Sequence, residues 1–319
     1  MNELSLPEVE SAAKEIADTL REWENLYTLS YSPSFNITGG EPFLRSDLPD
    51  IIAAIKYQGF DIYLLTNGIL IDKKRAQALY HLGVNGVQVS IEGPEKIHES
   101  IRGEGSFSAS LKGVKNLLDA GVKVTLNVTL SSVNAGYFMD IIELAGRLGV
   151  DRVGFSRLVP SGRGKAMIKK MLDKGKVKEL YKKIFSLDTG KIGIVTGDPV
   201  ATQSTAKNDR KDKGDIPLGG CAAGVSGLTI MPDGSFVPCR RLPVPVGNIR
   251  RDSFREVWAT SEVLGAIRDR DKYKGKCRIC KRWAHCRGCR AIAYAWSKEC
   301  GENDYLAEDP QCFINESSS

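Results

Sequence analysis

The stretch Ser34–Asp47, SFNITGGEPFLRSD, decides how the first half of the chain is read. Phe35, Ile37 and Thr38 favour a strand, and a helical pattern begins by Leu48. The strand therefore ends at Gly39-Gly40-Glu41-Pro42. Paired glycines there let a backbone or a ligand approach closely, and the glutamate sets a carboxylate beside them.

Working outward, the same alternation continues. Ser5 and Glu8 form a capping box ahead of a helix with apolar residues at Val9, Ala13, Ile16, Leu20 and Trp23. Strands are predicted at 60–68, 86–93, 122–131 and 151–160, with helices at 48–57, 72–82, 107–120 and 137–148. A basic helix follows to about Phe185. Five strands alternating with helices on short links predict a parallel sheet covered by helices, either an open doubly wound sheet or part of a (β/α) barrel. Residues of special type gather at the strand C-terminal ends: Gly39–Pro42, Thr66–Gly68, Ser90–Gly93, Asn127–Ser131 and Arg157–Gly164. In a barrel that edge is the functional mouth. A polar linker is predicted over 189–220, with KIGIVTGDP inside it as one more candidate strand.

The chain of 319 residues is 42% hydrophobic and 26% charged, which suits a globular protein with a sizeable core. It has no apolar run of about 18 residues, so no membrane span is expected. MNELSLPEVE is not a signal-peptide pattern, and a cytoplasmic location is expected. The net charge of +6 is concentrated in 162–183, which holds nine Lys and Arg. That stretch is read as a solvated face or as a surface for an acidic ligand. Aromatics are not interleaved with it, so nucleic acid is not an expected partner.

None of the eight cysteines precedes Cys221. Cys277, Cys280, Cys286 and Cys289 form two CxxC pairs; Cys221, Cys239, Cys300 and Cys312 stand further off. In a cytosolic chain this pattern predicts thiolate ligation of metal rather than disulfides. Spacing alone leaves zinc and iron–sulfur open. LTIMPDGSFVPC, ending at Cys239, predicts a hairpin with an Asp-Gly turn.

Together, NITGGEP, LLTNG, VSIEG, IRGEGSF and RLVPSGRG, followed by CAAG, PDGSFVPC, VGNI, CRICKRWAHCRGCRAIAY and YLAEDPQC, resemble the radical S-adenosylmethionine (SAM) enzymes that carry a C-terminal SPASM domain. The resemblance spans nearly the whole chain. It implies an incomplete, TIM-like (β/α) radical SAM barrel over 1–188, a linker over 189–220 and a small iron–sulfur SPASM domain over 221–319. By position it implies that Gly39, Gly40, Glu41 and Pro42 hold the SAM amino group and that Asn67 lies beside them. Ser90 and Glu92 would serve the ribose side, Arg102 the SAM carboxylate and Leu158 the adenine, with Asn127 a further cofactor-binding candidate. Cys277, Cys280, Cys286 and Cys312 would hold one auxiliary 4Fe-4S cluster. Cys221, Cys239 and Cys289 would hold a second, with the fourth position open or filled by Cys300.

One departure matters. Such enzymes cleave SAM with a cluster held by CxxxCxxC upstream of the first helix, and this chain has no cysteine there. The expectation is an N-terminally truncated chain whose intact form carries that cluster. A decayed homologue that only binds, or a cluster borrowed from a partner chain, are the other readings. The implied function is a radical SAM oxidoreductase or maturase that modifies a peptide or tetrapyrrole substrate through a deoxyadenosyl radical, with a ferredoxin or flavodoxin as electron donor. The competing reading is a non-catalytic iron–sulfur or zinc module that contacts a peptide or protein partner.

Overall fold

A computed structural model describes residues 3–204 and 215–314. The chain divides into two compact units. The first comprises residues 1–129, 136–155 and 189–195, and the second residues 130–135, 156–188 and 196–319. Residues 189–195 thus belong with the first unit and 156–188 with the second, where one linker at 189–220 was expected.

The first unit opens with α1 (Leu6–Tyr27), whose start is fixed by the Ser5 N–H donating to Glu8 Oε2 at 2.7 Å. Its buried stripe is Ala12, Ala13, Ile16 and Ala17. There follow β1 (Ser34–Ile37), α2 (Leu48–Tyr57), β2 (Asp61–Thr66), α3 (Lys73–His81), β3 (Gly86–Ser90), α4 (Glu95–Arg102), α5 (Ser106–Asp119), β4 (Val124–Leu130), α6 (Phe138–Leu148), β5 (Arg152–Arg157) and, after α7 (Lys174–Ser186) of the second unit, β6 (Gly193–Val195). The strands form one sheet in the order β1 to β6. The five expected strands are joined by β6, which falls in the KIGIVTGDP stretch and pairs parallel to β5.

The pairings β1/β2, β2/β3 and β3/β4 are parallel as well. A parallel sheet covered on both faces reads as continuous apolar runs. Here the strands alternate instead. Val124, Leu126, Val128 and Leu130 of β4 are buried, while Thr125, Asn127 and Thr129 are half-buried. Ile62 and Leu64, and Val87 and Val89, continue the apolar face. Gln88 and Ser90 continue the polar one. One face packs under the helices and the other stays polar, which leaves room for a ligand against it.

The predicted basic helix is two elements. Gly162–Lys170 is a 3-10 stretch, and α7 starts afresh where Asp173 accepts from the Lys176 N–H at 2.8 Å.

In the second unit β7 (Thr229–Ile230), β8 (Ser235–Val237) and β9 (Gly247–Asn248) form an antiparallel sheet. The predicted turn is there, with Gly234 at φ 83° and Asp233 accepting from the Ser235 N–H. The helices α8 (Phe254–Thr260), α9 (Glu262–Arg268), α10 (Lys276–Ile279) and α11 (Arg290–Glu299) complete it. One of its apolar clusters gathers Val159, Leu242, Ile267, Ala291 and Ile292. No helix among the described residues is long and apolar enough to cross a membrane.

Candidate functional site

In the first unit the loop after β1 and the end of β2 are joined by one carboxylate. Glu41 Oε1 accepts from the Thr66 hydroxyl at 2.7 Å, and Oε2 accepts from the Asn67 N–H at 2.9 Å. The Thr66 hydroxyl in turn accepts from the Gly68 N–H, and the Ser110 hydroxyl donates to the Asn67 carbonyl. Glu41 therefore organises the loops, where the sequence reading gave it only to an incoming ammonium. Oε1 also accepts from the Phe43 N–H at 3.3 Å, so the capacity left for a further donor is on Oε2. A Cβ added at Gly39 or Gly40 would meet nothing within 4 Å, so the cradle above them is open. Pro42 is buried and starts a short 3-10 turn.

The register places Ser90 opposite Asn127 on neighbouring strands. Asn127 lies against Gly154 of β5, where an added Cβ would come within 2.9 Å of its Oδ1. Glu92 is 3% exposed and fully engaged. Its Oε1 accepts from Arg102 Nε and Nη2 at 3.0 and 2.5 Å, and its Oε2 from the Thr129 N–H at 2.9 Å. The sequence reading gave Glu92 to a ribose and Arg102 to a carboxylate. The structure pairs them, so Glu92 aims Arg102, whose side chain is still 28% exposed. His98, buried beside them, accepts from the Glu92 N–H through Nδ1. Burial, then the Arg102 charge, lower its pKa to about 4, so it is a neutral structural histidine.

In the second unit Cys277, Cys280, Cys286 and Cys312 line a single cavity of about 100 Å³ together with Gln203, Trp283 and Arg287. These are the four cysteines assigned to one cluster. Burial raises the Cys277 pKa to about 11 and that of Cys286 to about 12, and neighbouring cysteines push the same way. Such thiols ionise only when a cation compensates them. Among the described residues no three His, Cys, Asp or Glu side chains converge on a single-ion position.

Two further observations test the fit. The Trp283 Nε1–H and the Arg287 Nε–H are buried without an acceptor, and both residues line the chamber. Arg290 is fully buried and leaves Nε and Nη2 without acceptors. Its Nη1 donates to the Tyr305 and Ala307 carbonyls, and Arg287 donates to those of Ala284, Gly219 and Cys221. The hydrogen bonds described for these two cations go to neutral carbonyls, not to carboxylates. Buried donors and buried positive charge are costly without an anionic acceptor. A thiolate-ligated iron–sulfur cluster, net negative and rich in acceptor sulfurs, supplies what they lack.

The second predicted set is also gathered in part. The Cys289 pKa is raised to about 12 by burial and then by Cys221, while Cys239 and Cys289 pack on the same apolar cluster. Arg241 leaves a buried Nε without an acceptor and favours the Cys289 thiolate. Cys300 stands apart from both sets. It is exposed at the C-cap of α11, and none of the contacts described for the other seven involves it.

Sequence analysis places Arg157 at the C-terminal end of its strand but does not show the partners that bury it. Its side chain is 1% exposed. The guanidinium donates to both Asp198 oxygens at 2.6 and 2.9 Å, to both Asp309 oxygens at 2.9 and 2.7 Å, and to Gln311 Oε1 at 2.8 Å. Asp309 also accepts from the Cys289 N–H at 2.8 Å. Leu158, the next residue, is buried in this unit and bonds through its N–H to the Leu130 carbonyl.

Comparison with known proteins agrees with this geometry. Residues 9–145 match the Radical SAM superfamily, and residues 221–289 match an iron–sulfur cluster-binding domain, SPASM. The AdoMet-dependent heme synthase of Methanosarcina barkeri is 31% identical over 293 residues, covering 88% of this chain and 82% of the relative. That of Nitratidesulfovibrio vulgaris is 29% identical, covering 94% and 82%. A PqqA peptide cyclase of Methylocella silvestris is 29% identical, covering 88% and 74%. Among solved structures, Streptococcus suis SuiB shares the fold with a TM-score of 0.72 at 19% identity, covering 95% of this chain and 71% of that one. The chain belongs to the radical SAM enzymes with a SPASM domain, whose cofactors are S-adenosylmethionine and 4Fe-4S clusters.

Proposed function

We propose that this chain acts on a carboxylate-bearing tetrapyrrole. The observation that carries this reading is the match to heme synthases along 88–94% of the chain. The basic residues of the 3-10 stretch and α7, from Arg163 to Lys183, supply a surface that favours carboxylates. The peptide cyclase match at 29% identity supports a peptide as the second substrate class.

In this reading the first unit carries the SAM-binding part and the second binds clusters. Gly39, Gly40, Glu41 and Pro42 take the ammonium of SAM, with Asn67 held beside it. Arg102, aimed by Glu92, takes the SAM carboxylate through charge-assisted hydrogen bonds. Ser90 faces the ribose, with Asn127 opposite it on the neighbouring strand. Cys277, Cys280, Cys286 and Cys312 hold one cluster, and Cys221, Cys239 and Cys289 a second. A SAM-cleaving cluster distinct from these two would supply, with bound SAM, a deoxyadenosyl radical for hydrogen abstraction. A ferredoxin or flavodoxin of the cytoplasm delivers the electrons.

The test is anaerobic reconstitution followed by ligand titration. About eight iron and eight sulfide per chain are expected from the cysteine count. An iron porphyrin with several carboxylates should then bind saturably, and its fully esterified form weakly. Binding of a short peptide with no response to either porphyrin would replace the tetrapyrrole reading. Uptake of zinc alone would remove the iron–sulfur one.

A further inference from the structure

The cavity lined by four cysteines has one neutral polar side chain that no expectation above assigns. Gln203 closes the 3-10 turn Pro199–Ser204. Its Nε2 lies 3.4 Å from Cys286 Sγ and 3.4 Å from Cys312 Sγ. These cysteines come from different segments of the chain, and an NH2 group has one hydrogen for each sulfur. The orientation of the amide is fixed independently, because Gln203 Oε1 accepts from the Phe313 N–H at 3.3 Å. Turning the amide over would set its nitrogen against that N–H and its oxygen against the sulfurs.

The turn itself is anchored at its start. Asp198, just before Pro199, accepts from Arg157 and from the Tyr181 hydroxyl at 2.5 Å. Gln203 is therefore delivered to the sulfurs from a buried ion network, not from a free loop.

We propose that Gln203 sets the reduction potential of the cluster held by Cys277, Cys280, Cys286 and Cys312. This rests on reading that cavity as a cluster site. An N–H bond to a ligand sulfur draws density from it and stabilises the extra negative charge of the reduced cluster. Two such bonds from one amide raise the potential and make one-electron reduction easier. Cys286 receives a further N–H from Gly288 at 3.5 Å, so Cys312 depends on Gln203 more than Cys286 does.

The experiment uses the reconstituted chain, Gln203→Met and Gln203→Glu, each counted for iron and sulfide and then titrated redox-wise under EPR. Met keeps the length and removes both donors. Glu removes them and adds a negative charge. Equal iron in all three is expected, with the potential of one cluster lowered in the Met variant, lowered further in the Glu variant, and the other cluster unmoved. Full iron with unshifted potentials overturns the proposal. So does loss of about half the iron in both variants, which would make Gln203 a structural prop only. A parent chain that takes up no iron sinks the cluster reading itself, and the Gln203 proposal with it.

Discussion

Replacing Arg157 tests whether the second unit is held by its buried ion network. The guanidinium uses all five N–H contacts, at 2.6 to 2.9 Å, on Asp198, Asp309 and Gln311. Lysine keeps the charge but offers three donors, so at least two acceptors lose a partner. At about 1 kcal/mol or more for each buried unsatisfied group, Arg157→Lys should cost about 2 kcal/mol. Arg157→Met removes the cation and leaves two buried carboxylates facing each other, which should cost about 3–5 kcal/mol. The pH dependence separates this from a packing defect. With the cation gone, burial raises the pKa of Asp309 above its unfolded value. That contribution is present at low pH and lost as pH rises, so the Met deficit should be larger at pH 8 than at pH 5. Urea unfolding of the reconstituted chain reads it, through cluster absorbance and through Trp258, Trp283 and Trp296 of the second unit. A Met variant within about 0.5 kcal/mol of the parent, where ordinary surface changes fall, or one whose deficit is equal at both pH values, would refute the reasoning.

Three further outcomes are expected. Cys312→Ser should lower iron by about four per chain, whereas Cys300→Ser, exposed on its helix cap, should leave iron content unchanged by elemental analysis. His98 has its pKa lowered to about 4 by burial, so it is neutral when folded and takes a proton below about 6.5 when unfolded. Stability should therefore be complete above about pH 6.5 and decline toward pH 4 by up to about 3 kcal/mol. His98→Phe should lack that part of the slope in thermal melts. Gly113→Ala would set a methyl 2.1 Å from the Gly68 carbonyl oxygen. Its gain of about 1 kcal/mol in helix propensity should be outweighed, for a net loss of about 1–2 kcal/mol by denaturant titration. SAM affinity by equilibrium dialysis should fall too, because Gly68 follows the Asn67 that Glu41 holds.

What was legible in the sequence was what local pattern determines. The β-forming run into Gly39-Gly40 and the strand–helix alternation after it foretold the parallel sheet, since side-chain period and turn chemistry are properties of neighbours in the chain. The grouping of Cys277, Cys280, Cys286 and Cys312 came from the family resemblance rather than from spacing: Cys286 and Cys289 share one CxxC, yet only Cys286 lines the cavity. What failed to show were pairings across long stretches of sequence. Glu92 looked like a ligand contact and is the carboxylate that aims Arg102, ten residues on. Arg157 sits among the exposed-looking charges of RLVPSGRG, and nothing nearby signals that Asp309, 152 residues on, will bury it. Gln203 lies in a stretch whose composition reads as linker, yet the amide reaches sulfurs 83 and 109 residues away. These three share a physical cause. A buried polar group is stable only when its partners are complete, and completeness is a property of the assembled unit rather than of any window along the chain. The residues that sequence reading misplaced are those whose role is to complete another group.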